Sequence, residues 1–194
     1  VKHFRDNWHI DMDIFESMLS NALSKTENLL TSANSFPYKM IIKFAHDMMS
    51  NKDLGMILSH AWVSVEYSNN DINLRPNEIV NLMSCLPKEL LMTEEDLNVY
   101  NELPDKFTVF RGVNPQNAKY VNYAMSWTLD IEIAKFFANR FNSDGSGEVY
   151  GKVIDKSDVL AYFNTRNEQE VVIIPKGTPS LYVLSLSQEK PNNA

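Results

Sequence analysis

The stretch Arg166-Asn167-Glu168-Gln169-Glu170-Val171-Val172-Ile173-Ile174 decides how this chain is read. The β-branched run at its end is the composition of a buried strand. Two carboxylates stand one residue apart at its mouth. In an extended chain, residues i and i+2 project from the same face, so Glu168 and Glu170 are expected to point the same way. Two like charges held together are unfavourable unless a cation or some use answers them. A solvated strand end is the plain alternative, and an isolated Glu-x-Glu does not choose between the two.

Working outward, the second half of the chain is mostly strand. Runs at 148–154, 158–163, 170–174 and 181–186 are separated by Asp155-Lys156-Ser157 and Pro175-Lys176-Gly177-Thr178-Pro179. Phe107-Thr108-Val109-Phe110 predicts a strand ending at Arg111-Gly112. Thr128-Leu129-Asp130 offers caps for a helix from 131 to 141, with Ile131, Ala134, Phe137, Ala138 and Phe141 along one face. Asn142 to Gly147 predicts a flexible loop.

Before Leu103-Pro104-Asp105-Lys106 the pattern is helical. Apolar residues at 14, 15, 18, 19, 22 and 23 make one stripe, and Met40, Ile41, Phe44, Ala45 and Met48 another after Pro37. Asn51-Lys52-Asp53 is read as the cap of a helix through Trp62, Pro76 opens a helix reaching Leu86, and Thr93 caps Glu94-Glu95-Asp96. The fold class expected is α+β. Residues 1–103 form a helical region packed on a core at 104–190, together one compact unit, and no internal repeat is visible.

Composition narrows the function classes. The 44% hydrophobic and 22% charged fractions are those of an ordinary globular protein. The net charge of −7 disfavours a nucleic-acid partner, whose phosphates call for a basic surface. The single cysteine, Cys85, excludes a disulfide framework within the chain and is expected to be a small core residue. The opening Val1-Lys2-His3-Phe4-Arg5-Asp6 lacks the apolar centre of a signal peptide, and no segment approaches the ~18 apolar residues of a membrane span. A cytoplasmic location is the expectation.

Several chemistries have no motif here. There is no Gly-x-x-x-x-Gly-Lys-Ser/Thr loop and no Gly-x-Ser-x-Gly elbow. Gly145, Gly147 and Gly151 have the wrong spacing and context for a dinucleotide fingerprint. His3, His9, His46 and His60 form no His-x-x-x-His pair, so a zinc protease site is not expected, and His46 and His60 are assigned to helix packing.

Two further segments join the carboxylate pair. In Thr108-Val109-Phe110-Arg111-Gly112-Val113, an Arg closes an apolar strand. Its guanidinium suits phosphate, and the adjoining Gly lets a ligand approach the backbone; a surface Arg at a strand end is the alternative. In Ser126-Trp127-Thr128, Thr128 or Asp130 can cap the helix, which leaves Ser126 for another task.

In this order and spacing, Phe110-Arg111-Gly112, Ser126-Trp127-Thr128 and Glu168-Gln169-Glu170 resemble the Arg…Ser-x-Thr…Glu-x-Glu signature of the mono-ADP-ribosyltransferases, over roughly residues 104 to 187. Ala134-Lys135-Phe136-Phe137-Ala138 is similar to the helix that follows the Ser element in bacterial and phage members. Trp127 and Thr128 depart from the family's commoner Ser-Thr-Ser.

The resemblance implies a mixed, mostly antiparallel core of two packed sheets and an NAD-dependent transferase that needs no metal. Nicotinamide leaves the ribose through an oxocarbenium-like transition state, as in glycoside hydrolysis. Glu170 would bind the ribose 2′-OH and stabilise the developing positive charge, and Ser126 would orient Glu170. Arg111 would meet a phosphate or the ribose, and the Gly112 backbone the nicotinamide amide. Trp127, Thr128, Phe137 and Arg140 would complete the NAD site, with Phe137, Phe141 and Trp127 as candidates to cover nicotinamide; the apolar helix face first assigns Phe137 to the core. Glu168 would bind an arginine acceptor and take its proton, with Phe163 and Arg166 bordering that acceptor site.

The partner implied is an acceptor protein modified at arginine, as by phage and toxin relatives acting in a host cell. An NAD glycohydrolase toxin, a silent NAD-binding module and transfer to nucleic acid are the alternatives. The first half matches no catalytic part of the family; Trp62 and Glu66 are read as cleft-facing, or as core and solvent residues respectively.

Overall fold

The computed structural model describes residues 42–43, 46–63, 75–140, 146–175 and 182–184. The predicted helices before residue 42, Glu66, Phe141 and most of the 142–147 loop lie outside them. The chain divides into two compact units, Val1–Met92 and Thr93–Ala194. The division falls ahead of the helix at 94–102, not at the 103/104 change in sequence character.

In the first unit, helix α1 (Asn51–Val63) buries Leu54, Ile57, Leu58 and Ala61. Its cap is Ser50, one residue before the predicted segment; the Ser50 hydroxyl accepts from the Asp53 amide at 3.1 Å. Helix α2 (Pro76–Ser84) opens on its proline, whose missing N–H costs nothing in a first turn. It buries Ile79, Val80 and Met83. Cys85 is exposed, contrary to expectation. It follows the last helical residue, off the stripe set by 79, 80 and 83, and its thiol turns back to the Asn81 carbonyl at 3.4 Å. Trp62 is half-buried in α1.

The second unit combines helix with an antiparallel sheet, the α+β class predicted. Helix α3 (Glu94–Glu102) is capped by Thr93, which accepts from the Asp96 amide. Strand β1 (Lys106–Val113) runs past Arg111 instead of ending there. A 3₁₀ turn, Ala118–Tyr123, leads to β2 (Ser126–Thr128). Helix α4 (Ile131–Asn139) follows, then β3 (Glu148–Asp155), β4 (Val159–Phe163), β5 (Glu170–Ile173) and β6 (Tyr182–Leu184).

Among the described residues the strands are hydrogen-bonded in the single order β4-β5-β2-β1-β3-β6. Its continuity is uneven. β1 and β3 pair along their whole length, from Lys106↔Asp155 to Val113↔Glu148. β2 pairs with β5 through Ser126↔Val172, Trp127↔Val171 and Thr128↔Glu170. Between β1 and β2 the register is a single pair, Phe110↔Thr128. Two three-stranded halves, β6-β3-β1 and β2-β5-β4, are therefore joined by one narrow seam.

Helix α4 rests on the first half. Ala134, Ala138 and Val149 form a core to which Phe110 and Ile131 add partly buried surface. Gly112 is what lets the helix come down: a Cβ there would overlap the Ala134 carbonyl and the Ala138 amide. The glycine thus has a packing cause on this side of the sheet. It does not by itself argue for a ligand against the backbone.

Candidate active site

Arg111, Ser126 and Glu170 come from three separate strands and meet at the seam. The Ser126 hydroxyl donates to Glu170 Oε1 at 2.5 Å. The guanidinium of Arg111 donates through Nη1 to the main-chain carbonyl of Ser126. Glu170 is buried, at 7% exposure. Burial lowers the pKa of Arg111, while the charge of Glu170 raises it; a guanidinium remains charged under either influence. A cation and an anion thus meet at Ser126: its hydroxyl fixes the direction of the Glu170 carboxylate, and the Arg111 guanidinium holds its main-chain carbonyl.

Glu168 and Glu170 do not share a strand face. Strand β5 begins at Glu170, and Gln169 has φ 46, with Asn167 at φ 56. A left-handed residue between them breaks the extended chain on which the i, i+2 reading depends. The two carboxylates are separated in environment as well. Glu170 points into the seam, whereas the Glu168 side chain keeps 23% exposure and pairs with Arg166, Nη2 to Oε2 at 2.8 Å.

The backbone of this turn is held from several directions. Asn164 donates its main-chain N–H to the buried Asp96 of α3 at 3.1 Å. The Asn164 side-chain oxygen accepts from the Gln169 amide at 3.1 Å, and its carbonyl accepts from the Asn167 amide at 2.8 Å. Thr128 donates its hydroxyl to the Glu168 carbonyl at 2.7 Å, and the Leu129 amide donates to the Gln169 carbonyl at 3.1 Å. Non-glycine residues at positive φ persist where their surroundings over-determine them. Asp96 and Asn164 contribute to that determination; residue type and spacing mark Asp96 only as a first-turn helix acid and give Asn164 no role.

The other predicted site residues fall in different settings. Trp127 is 2% exposed, its indole N–H donates to the Ala124 carbonyl at 2.9 Å, and it serves the core. Thr128 is buried; its hydroxyl also accepts from the Asp130 amide at 3.0 Å, and the helix cap proper is Asp130, which accepts from Glu132 at 2.7 Å. Phe163 is 5% exposed and lies opposite Glu170 in the β4–β5 register. Phe137 is half-buried, edge-on to the exposed Phe136 with ring centroids 5.4 Å apart. Arg140 is exposed at the end of α4.

One further cation was not foreseen. Lys152 lies opposite Val109 on the sheet face that also carries Arg111. It is 2% exposed, and its ammonium sits 3.9 Å from the centroid of the Trp127 ring. Its pKa is pushed down to about 8, first by burial and then by the charge of Arg111, with Asp158 opposing. Next to Arg111 in the β1–β3 register, Tyr150 donates its hydroxyl to Glu148 at 2.6 Å, and that bond raises the Tyr150 pKa.

Among the described residues, no group of three or more His, Cys, Asp or Glu side chains is arranged to hold a metal ion. No helix among them is long and apolar enough to cross a membrane. Comparison with protein-family models, with curated proteins and with solved structures gave no match.

Proposed function

We propose that the chain is an NAD-dependent mono-ADP-ribosyltransferase whose acceptor is a protein arginine. The observation that carries this reading is the hydrogen bond from Ser126 to Glu170, closed on its far side by Arg111. Arg111 and Glu170, 15 and 44 positions from Ser126 in sequence, converge on that one residue, the guanidinium at its main-chain carbonyl and the carboxylate at its hydroxyl. A strand-end acid with no task has no need of a serine hydroxyl from a second strand, itself tied at its carbonyl to an arginine of a third. The two three-stranded halves meeting at a single pair also fit an ADP-ribosyltransferase-like core, with each half corresponding to one of its two sheets.

In this reading the bond between nicotinamide and the ribose C1′ breaks with its electron pair going to nicotinamide. Glu170, held by Ser126, stabilises the positive charge that develops on the ribose. Arg111 answers the negative charge of the substrate phosphates. The acceptor nitrogen forms the new bond to C1′ and gives up a proton to Glu168. A charged guanidinium is a poor nucleophile, so a carboxylate at this point lowers the barrier to attack.

The test is incubation with labelled NAD and acceptor proteins, comparing the wild-type chain with Glu170→Ala and Glu168→Gln. Glu170→Ala is expected to lose both nicotinamide release and labelling. Glu168→Gln is expected to lose arginine labelling while still releasing nicotinamide. Equal activity of wild type and Glu170→Ala refutes the catalytic assignment.

A further inference from the structure

We propose that Arg166 is a resident competitor at the acceptor carboxylate: its guanidinium occupies Glu168 in the resting protein, and an incoming arginine has to displace it. The inference rests on the reading of Glu168 as the acceptor-side residue. Its physical basis is the ion pair itself, Arg166 Nη2 to Glu168 Oε2 at 2.8 Å. The group already seated on the carboxylate is chemically the same as the side chain to be modified. It has the same planar fork, the same charge and the same preference for carboxylate oxygens.

The turn does not need this pair to keep its shape. Its main chain is fixed by Asp96, Thr128, Leu129 and the side chain of Asn164. None of those bonds involves the Arg166 guanidinium. Nor does the pair close a buried charge, since Arg166 is 40% and Glu168 23% exposed. What the pair does is occupy the carboxylate.

Exposure also sets the strength of the competitor. A solvent-exposed ion pair is weak and readily exchanged. Arg166 therefore does not shut the site. It penalises an acceptor that brings a guanidinium and nothing else, and yields to one that adds contacts on the surrounding surface. A protein arginine is favoured over a free guanidinium in this way, and water remains the competing nucleophile while Arg166 is in place.

The test uses agmatine, a guanidinium on a short aminoalkyl chain with no protein surface attached, and needs no NAD. Binding to the full chain is followed by NMR through the amide signals of Glu168 and Gln169. Arg166→Ala is expected to bind agmatine about two- to sixfold more tightly than wild type, the ratio set by displacement of an exposed pair. The gap should narrow as salt is raised, and Glu168→Gln should abolish it. Arg166→Gln, which keeps a polar side chain on the turn, should reproduce the gain. Equal or weaker binding by both Arg166 variants overturns the proposal, because Arg166 would then support the site or be a bystander. Failure of the transferase reading registers separately, as NAD cleavage that is indifferent to Glu170→Ala.

Discussion

Replacing Asp96 by alanine should loosen the turn that carries Glu168 and Glu170, although Asp96 lies on a helix and touches neither. Asp96 is 7% exposed, and its carboxylate accepts the main-chain N–H of Asn164 at 3.1 Å. Hydrogen bonds to a charged group contribute about 1.5–3 kcal/mol, and an acid in the first turn of a helix contributes about 0.3–1 kcal/mol. Asp96→Ala is therefore expected to destabilise the sheet unit by about 2–4 kcal/mol. Asp96→Asn keeps an oxygen acceptor and loses the charge, which should cost about 1 kcal/mol. It should also ease the raised pKa of Tyr162, which burial sets first and the charge of Asp96 second. The assay is native-state hydrogen exchange, read at the amides of Asn164 and Gln169 and across β4 and β5. In Asp96→Ala, exchange at Gln169 should accelerate with that at Asn164, since the Asn164 side chain accepts the Gln169 amide. If Asp96→Ala leaves both amides as protected as in wild type and stability within about 0.5 kcal/mol, the pinning described for this turn is wrong.

Two other outcomes follow from the same geometry. Ser126→Ala removes a charge-assisted bond to Glu170, so NAD cleavage should fall by about 10- to 100-fold with little change in KM; an unaltered kcat would remove Ser126 from the orienting role. Lys152 should titrate at about 8, against 10.5 for an ordinary lysine. Between those values the unfolded chain holds the proton and the folded one does not, so stability should rise with pH from about 8 to about 10.5. Lys152→Met should flatten that rise, and a flat profile in wild type would contradict the burial assigned to this ammonium.

Much of the second unit was legible because its elements obey simple periods. The apolar face of α4, the cap at Thr93 and the strands at 148–155, 159–163 and 170–173 could all be read from residue type and spacing. Arg111, Ser126 and Glu170 were grouped by the resemblance, and in the structure Ser126 is hydrogen-bonded to both of the others. What failed was reading that extrapolated a period across a break. Gln169 carries no signal for a left-handed backbone, since that conformation is imposed by Asn164, Leu129 and Thr128 from elsewhere in the chain. Lys152 is hidden for a related reason. In Glu148-Val149-Tyr150-Gly151-Lys152-Val153, alternation alone would turn the lysine outward, yet Lys152 is 2% and Val153 56% exposed. The face that reads as polar is the one covered by Trp127. Cys85 failed through a helix that ends two residues sooner than its apolar run suggests.

The turn between Phe163 and Glu170 has a consequence for how the chain finds its fold. In the order β4-β5-β2-β1-β3-β6, β4 and β5 are the consecutive strands joined by an extended ladder, whereas β1–β3 and β2–β5 close long loops before they gain a bond. Loop closure makes such distant pairings slow, so the β4–β5 hairpin is the part of the sheet able to form first. Its connection is the segment that carries Glu168 and delivers Glu170. Under the proposed function, selection on that segment for chemistry is also selection on the speed of refolding, and substitutions at the proposed acceptor side should register in the folding arm of a chevron as well as in turnover.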